Sequence, residues 1–296
     1  AMTKLYPGNL VLSLSSGIMY HRLVDRITAL NDVPREPLVP RRLGKNMCVP
    51  FGKILRGKVV PNTVTKTLHT DKVYEPDLNS FTIEPFPYYS PLKSQIETIK
   101  SFDRPVILVD DLVHTANRLQ VLVPQLREDG IPIKKVVVGV LSGYGRDLMQ
   151  CLKVPVESIY SMPNLRQWFV ESTLYPFIGG DTVRREEMKV AGLQPSINMI
   201  LPYATPRLSG CSREALVEFS ACCIENSRDL FQVLEAEYRK MYAKNLPLSR
   251  LSEAVILPLC PDKGSCMEYD ENLAASVYLE NDLETLWRMK EFLIKG

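Results

Sequence analysis

No run of about 18 apolar residues occurs anywhere in the 296-residue chain, so no membrane-spanning helix is expected. The N-terminal stretch lacks the apolar core of a secretory signal. Charge of one sign is not in excess: 36 Lys+Arg stand against 34 Asp+Glu, a net charge of +2. That balance gives no reason to expect nucleic acid, although it is compatible with a local basic pocket. Histidine is scarce, with only His21, His69 and His114. Zinc-type cysteine spacing is missing. Seven cysteines (48, 151, 211, 222, 223, 260 and 266) make an odd number, Cys222 and Cys223 are adjacent, and Cys260 and Cys266 have no histidine nearby. Free thiols in a reducing, cytoplasmic setting are expected. Internal repeats and low-complexity segments are also missing.

What is present is ordinary for a globular protein: 45% apolar and 24% charged residues, in a chain long enough for one large domain or two smaller ones. Ala1 precedes Met2 in "AMTKLYPG". That reads as an expression remnant, and the chain as a piece of a longer protein. A homo-oligomer is left open.

"NLVLSLSSGIMYHRLVDRITALN" reads as a strand (Leu10–Leu14), a small-residue turn (Ser15–Ser16–Gly17) and a helix with Ile18, Leu23 and Ile27 at helical spacing. Residues 33–92 are rich in proline and read as irregular loops and edge strands with no long helix. "SPLKSQIETIKSF" is a short helix, with Ser90 as N-cap and Pro91 at the first helical position. Then come a strand at 105–109, a loop at 110–117 and a helix at 118–129 stopped by Gly130, followed by strands at 134–143 and 156–161. This alternation predicts an α/β fold: a mostly parallel sheet with helices on both faces. From about 212 the pattern turns mainly helical, with one long or two short helices, "SEAVILPLC" as a strand or helix end, and a terminal helix in "ENDLETLWRMKEFLIKG". A boundary is expected near 184–210. It divides an α/β domain (1–183) from a mainly helical C-terminal region (184–296).

"RPVILVDDLVHTANRLQVLVPQLREDG" (104–130) is the most patterned stretch. Acids at the carboxyl end of a strand sit where open α/β sheets bind ligands. The helix that follows offers free N–H groups and a positive dipole end, an anion site. Thr115 adds a hydroxyl, Asn117 an amide and Arg118 a cation. Carboxylates for vicinal hydroxyls beside donors for a phosphate suit a sugar phosphate. A hard cation such as Mg²⁺ fits among such a ligand's oxygens.

"VILVDDLVHTANRL" resembles the phosphoribosyl-diphosphate (PRPP) motif of type I phosphoribosyltransferases: an apolar run, two acids, two mostly apolar residues, a variable one, then Thr-Gly-x-Thr or Ser. Asp110 and Asp111 match the ribose-binding acids, and Thr115 the first threonine of the 5′-phosphate loop. Ala116 stands where the family usually has Gly, and Arg118 where it usually has Thr or Ser. The resemblance spans about residues 8–180. It implies a transferase of nucleotide metabolism that moves ribose 5-phosphate from PRPP to a base or other small acceptor, with Mg²⁺ and release of pyrophosphate. It implies Asp110 and Asp111 as catalytic groups that also face the Mg²⁺ directly or indirectly. Independently of the resemblance, His114 reads as a hydrogen-bond donor or general acid toward a polyanionic leaving group. It implies a pyrophosphate loop at Ser15, Ser16 and Gly17. A basic irregular segment (40–75) would contribute His69 and Asp71 from "KTLHTDK", and one of Lys45, Lys53, Arg56 and Lys58 would reach ligand. A hood at 161–181 would bring Trp168 to stack on the acceptor, with Phe169 and Tyr175 as further stacking candidates.

Plainer readings stand beside these. Asp110–Asp111 is also a strand-end turn with Asp111 as a helix cap. Ser15–Gly17 is also an ordinary strand-to-helix turn, and Trp168 and Tyr175 are also packing residues. The same stretch resembles the first strand and helix of a bacterial receiver domain. That reading needs a strand-end Asp some 40 residues on, and "VVVGVLSGYGRD" and "CLKVPVESIYS" supply none. The departures at Ala116 and Arg118 favour a non-catalytic PRPP- or nucleotide-sensing module on the same fold. A related transferase chemistry run in reverse, using a nucleoside and a phosphate donor, is a third reading.

Overall fold

The structure is a computed structural model that describes residues 2–86, 89–115, 117–184, 193–206, 208, 210–251, 254–258 and 269–295. Ala116, Cys260 and Cys266 lie outside the described residues. In chain order the first elements are α1 (Met2–Leu5), α2 (Ser16–Leu30), β1 (Met47–Pro50), β2 (Val64–Thr65), β3 (Thr70–Tyr74) and β4 (Phe81–Pro85). Then come α3 (Leu92–Lys100), β5 (Val106–Val113), α4 (Asn117–Glu128), β6 (Ile133–Ser142), α5 (Gly143–Cys151) and β7 (Val156–Met162). The last are β8 (Asp181–Val183), β9 (Gln194–Ile197), α6 (Arg213–Tyr242), β10 (Ile256–Pro258) and α7 (Ala275–Lys295).

Two compact units result, and sequence order does not separate them. One comprises Ser13–Asp71 and Ile83–Trp168; the other comprises Ala1–Leu12, Lys72–Thr82 and Phe169–Gly296. The sequence reading put a boundary near 184–210. By packing the chain parts after Trp168, because the residues from Leu174 onward bury their side chains with Leu5 and the C-terminal helices.

The first unit holds a five-stranded, all-parallel sheet in the order β2-β1-β5-β6-β7. Alternation along its strands splits the core into two layers. Met47, Val49, Val106, Leu108, Val136 and Val138 meet α3, α4 and α5 on one face. Cys48, Ile107, Val109 and Val137 meet Met19, Leu23, Val24 and Ile27 of α2 on the other. Helices therefore cover both faces, and each buried strand reads as a nearly continuous apolar run.

The second unit is mainly helical around α6 and α7, and it also carries a mixed sheet in the order β10-β9-β8-β3-β4. Strands β3 and β4 straddle the segment borders at 71/72 and 82/83. Helix α6 is one helix, capped by Ser212 and ended at Ala243 with φ 53°. Glu235 of α6 is buried. Its carboxylate accepts the Ser276 N–H at 3.1 Å and the Ser276 hydroxyl at 2.5 Å, so it satisfies a free donor in the first turn of α7. Glu235→Ala leaves both donors unpaired inside the fold and is expected to cost about 2–3 kcal/mol. Glu235→Gln keeps one acceptor and should lose about half of that. Urea unfolding of the two variants checks the order.

Three local expectations change. Residues 10–15 form no strand, and Leu10 and Leu12 are 84% and 58% exposed. A strand needs a ladder partner, and among the described residues none pairs with this run. In α2, Ile18 points outward and Met19 takes its place in the buried set. Pro91 precedes α3 as its cap residue, and Ser90 makes no capping bond.

Candidate functional site

The sheet order sets the position. From β1 the chain goes on to β2 on one side, and from β5 it goes on to β6 on the other. The carboxyl ends of β1 and β5 therefore flank a topological switch point, where open α/β sheets leave a crevice. Pro50 lies opposite Val109, and Phe51 N–H donates to the Val109 carbonyl at 3.0 Å. The turn after β1 thus folds directly onto Asp110 and Asp111. These acids lie within β5 and not in the following loop, because β5 runs on to Val113; His114 and Thr115 are the described residues between β5 and α4.

Asp111 is engaged by that turn. Its Oδ2 accepts the Lys53 N–H at 2.6 Å and its Oδ1 the Ile54 N–H at 3.0 Å. Asp110 is 8% exposed, and its Oδ1 accepts the Asp111 N–H at 2.8 Å. Arg118, in the first turn of α4, lies 3.9 Å from Asp110 Oδ1 and donates to the Phe51 carbonyl at 3.4 Å. Burial pushes the Asp110 carboxyl up to about 7; Arg118 opposes this and the Asp111 charge adds to it.

Arg56 completes the group. Its N–H donates to the Lys53 carbonyl at 3.4 Å, which ties it to the same turn. Its guanidinium donates to the Thr70 carbonyl at 3.4 Å and lies 5.2 Å over the Phe86 ring. Burial lowers its pKa, and Asp71 is its strongest opposing charge. Two buried donors here have no hydrogen-bond partner among the described residues, Arg56 Nε and Thr70 Oγ1. His69 stacks on Tyr89 at 3.8 Å between ring centroids, and its N–H and carbonyl are both held by the Gln95 amide. Burial, Arg56 and Lys66 all lower the His69 pKa, so its neutral form is favoured.

The other expected site residues are placed as follows. Thr115 accepts from the Asn117 amide at 2.9 Å within the loop ahead of α4. His114 Nδ1 pairs with Ser142 Oγ at 2.8 Å, and that hydroxyl also caps α5 through Gly145 N–H at 2.9 Å. Ser15 caps α2 by accepting the Ile18 N–H at 3.4 Å, and Ser16 and Gly17 are in the first turn of that helix. Among the described residues no hydrogen bond joins these three to Asp110 or Asp111. Trp168 packs beside the α2 layer with Met162 and Leu165. Phe169 and Tyr175 pack in the second unit, where the Tyr175 hydroxyl donates to Glu171 at 3.1 Å. Each histidine has a partner of its own: His21 pairs with Arg35 at 2.7 Å, His69 stacks on Tyr89, and His114 pairs with Ser142.

The sequence reading missed β1, Gly52 and Gln95, and it left Arg56 as one of four basic candidates. The run Met47–Val49, closed by Pro50, Phe51 and Gly52, was the available signal for a short buried strand with a turn after it.

No family model matches this chain, and no curated protein matches it. Among solved structures it is similar to a purine phosphoribosyltransferase from Pyrococcus horikoshii, at 14% identity and a TM-score of 0.31, over 54% of this chain and 91% of that one.

Proposed function

We propose that the crevice between β1 and β5 binds a ribose phosphate of the PRPP kind and transfers its ribose 5-phosphate to a small acceptor. The observation that carries this reading is the meeting, at the switch point, of the buried Asp110 and the half-buried Asp111 with Arg56 and Arg118. Carboxylates suit the ribose hydroxyls, and the cations suit the phosphates. The unpartnered donors Arg56 Nε and Thr70 Oγ1 suit one anionic end of the ligand, and the start of α4 with Thr115 suits the other. In the transfer, the acceptor's lone pair forms the new bond to C1′ while the C1′–oxygen bond breaks and its electron pair leaves on pyrophosphate. The chain's part is positioning and electrostatic stabilisation of the charge that develops at C1′.

A magnesium ion held directly by the two acids does not fit. Both Asp111 oxygens accept backbone N–H groups, and Asp110 faces a guanidinium. Mg²⁺ would instead sit among the ligand's own oxygens, where it would offset phosphate charge. The Arg118–Asp110 contact favours a second reading, a sensor that binds PRPP without turnover.

Calorimetric titration of the full chain with PRPP–Mg²⁺ is the test. Saturable binding is expected, weakened about tenfold or more in Arg56→Ala by loss of a charge-assisted contact. No binding to the unmodified chain overturns the proposal. Pyrophosphate release with a panel of nitrogen bases then separates enzyme from sensor.

A further inference from the structure

We infer that Asp111 is a positioning residue that holds the turn carrying Arg56, and that Asp110 is the acid facing the ligand. The inference rests on the function just proposed, but its structural half is independent of it. In the resemblance, both acids of the motif grip the sugar. Here the two carboxylates have different neighbours. Both oxygens of Asp111 are spent on successive backbone N–H groups, Lys53 at 2.6 Å and Ile54 at 3.0 Å. An ionised acceptor bonded to two amides fixes a turn strongly. The fixed turn continues without a break to Arg56 through the Arg56 N–H and the Lys53 carbonyl. Gly52 lets the turn come this close: a Cβ there would lie 2.6 Å from Asp111 Oδ1 and 2.7 Å from Asp110 Oδ1. Arg56 in turn reaches the Thr70 carbonyl while its Nε has no partner among the described residues. A chain of contacts therefore runs from β5 through the turn to a donor aimed at an anion. By contrast, Asp110 accepts one backbone N–H, from Asp111, and faces the Arg118 guanidinium at 3.9 Å, so no turn hangs on its carboxylate.

Two measurements on the full chain test this. The first is amide hydrogen exchange at Lys53 and Ile54. Asp111→Ala should speed it about tenfold or more, while Asp110→Asn should leave it unchanged and Asp111→Glu should restore part of the protection. Unchanged exchange in Asp111→Ala overturns the clamp, whatever PRPP does. The second is a double-mutant cycle on PRPP–Mg²⁺ affinity. Asp111→Ala and Arg56→Ala should be non-additive, the pair losing little more than Arg56→Ala alone, because Asp111 acts through the turn. Asp110→Asn with Arg56→Ala should lie much closer to additive, departing from it only by the Arg56 charge felt at Asp110. If Asp111→Ala adds fully to Arg56→Ala, Asp111 grips the ligand itself and the inference fails. If the unmodified chain binds no PRPP, the functional proposal fails, and the exchange result still decides the clamp.

Discussion

Replacing Asp110 by Asn is expected to make the protein more stable above neutral pH and to leave it nearly unchanged near pH 4. Burial raises this carboxyl from its ordinary 3.8 to about 7, against the opposing pull of Arg118, the Asp111 N–H and Arg56, and with the added push of the Asp111 charge. Between those values the folded chain holds a proton that the unfolded chain has lost. Stability from this group therefore falls as pH rises through the window, and the full cost is present above about pH 7. That cost is on the order of a few kcal/mol. Asn stays uncharged and still offers an oxygen to the Asp111 N–H, which Asp110 accepts at 2.8 Å. Unfolding free energy measured from pH 4.5 to 8.5 should slope downward for the unmodified chain and lie flatter for Asp110→Asn. Parallel curves would show that the acid is not held in this environment. The same substitution removes the acid assigned to the ribose, so the gain in stability should come with a loss of PRPP affinity.

Gly52→Ala should have the largest effect of any single methyl group in the site. The added Cβ would lie 2.6 Å from Asp111 Oδ1, 2.8 Å from Asp111 Cγ and 2.7 Å from Asp110 Oδ1. Neither carboxylate retreats cheaply. Asp111 is tied to Lys53 and Ile54, and Asp110 is buried. Relief by lifting the turn breaks both amide bonds to Asp111 and moves Arg56. A cost of about 2–3 kcal/mol is expected, and PRPP–Mg²⁺ affinity should fall at least tenfold. Gly17→Ala is the informative comparison. Its Cβ would meet only Ser15 Oγ at 3.7 Å, an ordinary contact, and alanine suits a helical position better than glycine. Stability should therefore hold in that variant. A loss of PRPP affinity in it would place Ser15–Gly17 at the ligand, and unchanged affinity would leave the anion to the turn after β1.

Much of the α/β unit was legible in the residues. The runs that became β5, β6 and β7 are apolar stretches bounded by turn signals, and α4 has helical spacing closed at Gly130, whose φ is +73°. Such patterns are local, so they survive without knowledge of their neighbours. The acids and Arg118 were visible for the same reason. The strand expected at Leu10–Leu14 shows where local pattern misleads. An apolar run becomes a strand only if a ladder accepts it, and this one is exposed. Strand β1 shows the converse. Four residues are too few to display a period, yet Met47–Pro50 is fully buried beside β5.

The amino-acid sequence by itself determined a parallel sheet and a pair of acids at the carboxyl end of one of its strands, because burial on both faces and the turn chemistry after the apolar run are written in neighbouring residues. The structure carried that strand past the acids to Val113. Only the tertiary structure decided which groups meet those acids. Strand order brought a turn 57 and 58 residues distant from Asp111 onto its carboxylate. It also set Arg56 in the same turn, with its Nε buried and without a hydrogen-bond partner among the described residues. Contacts at such separations depend on which strands lie side by side, and no local periodicity encodes that.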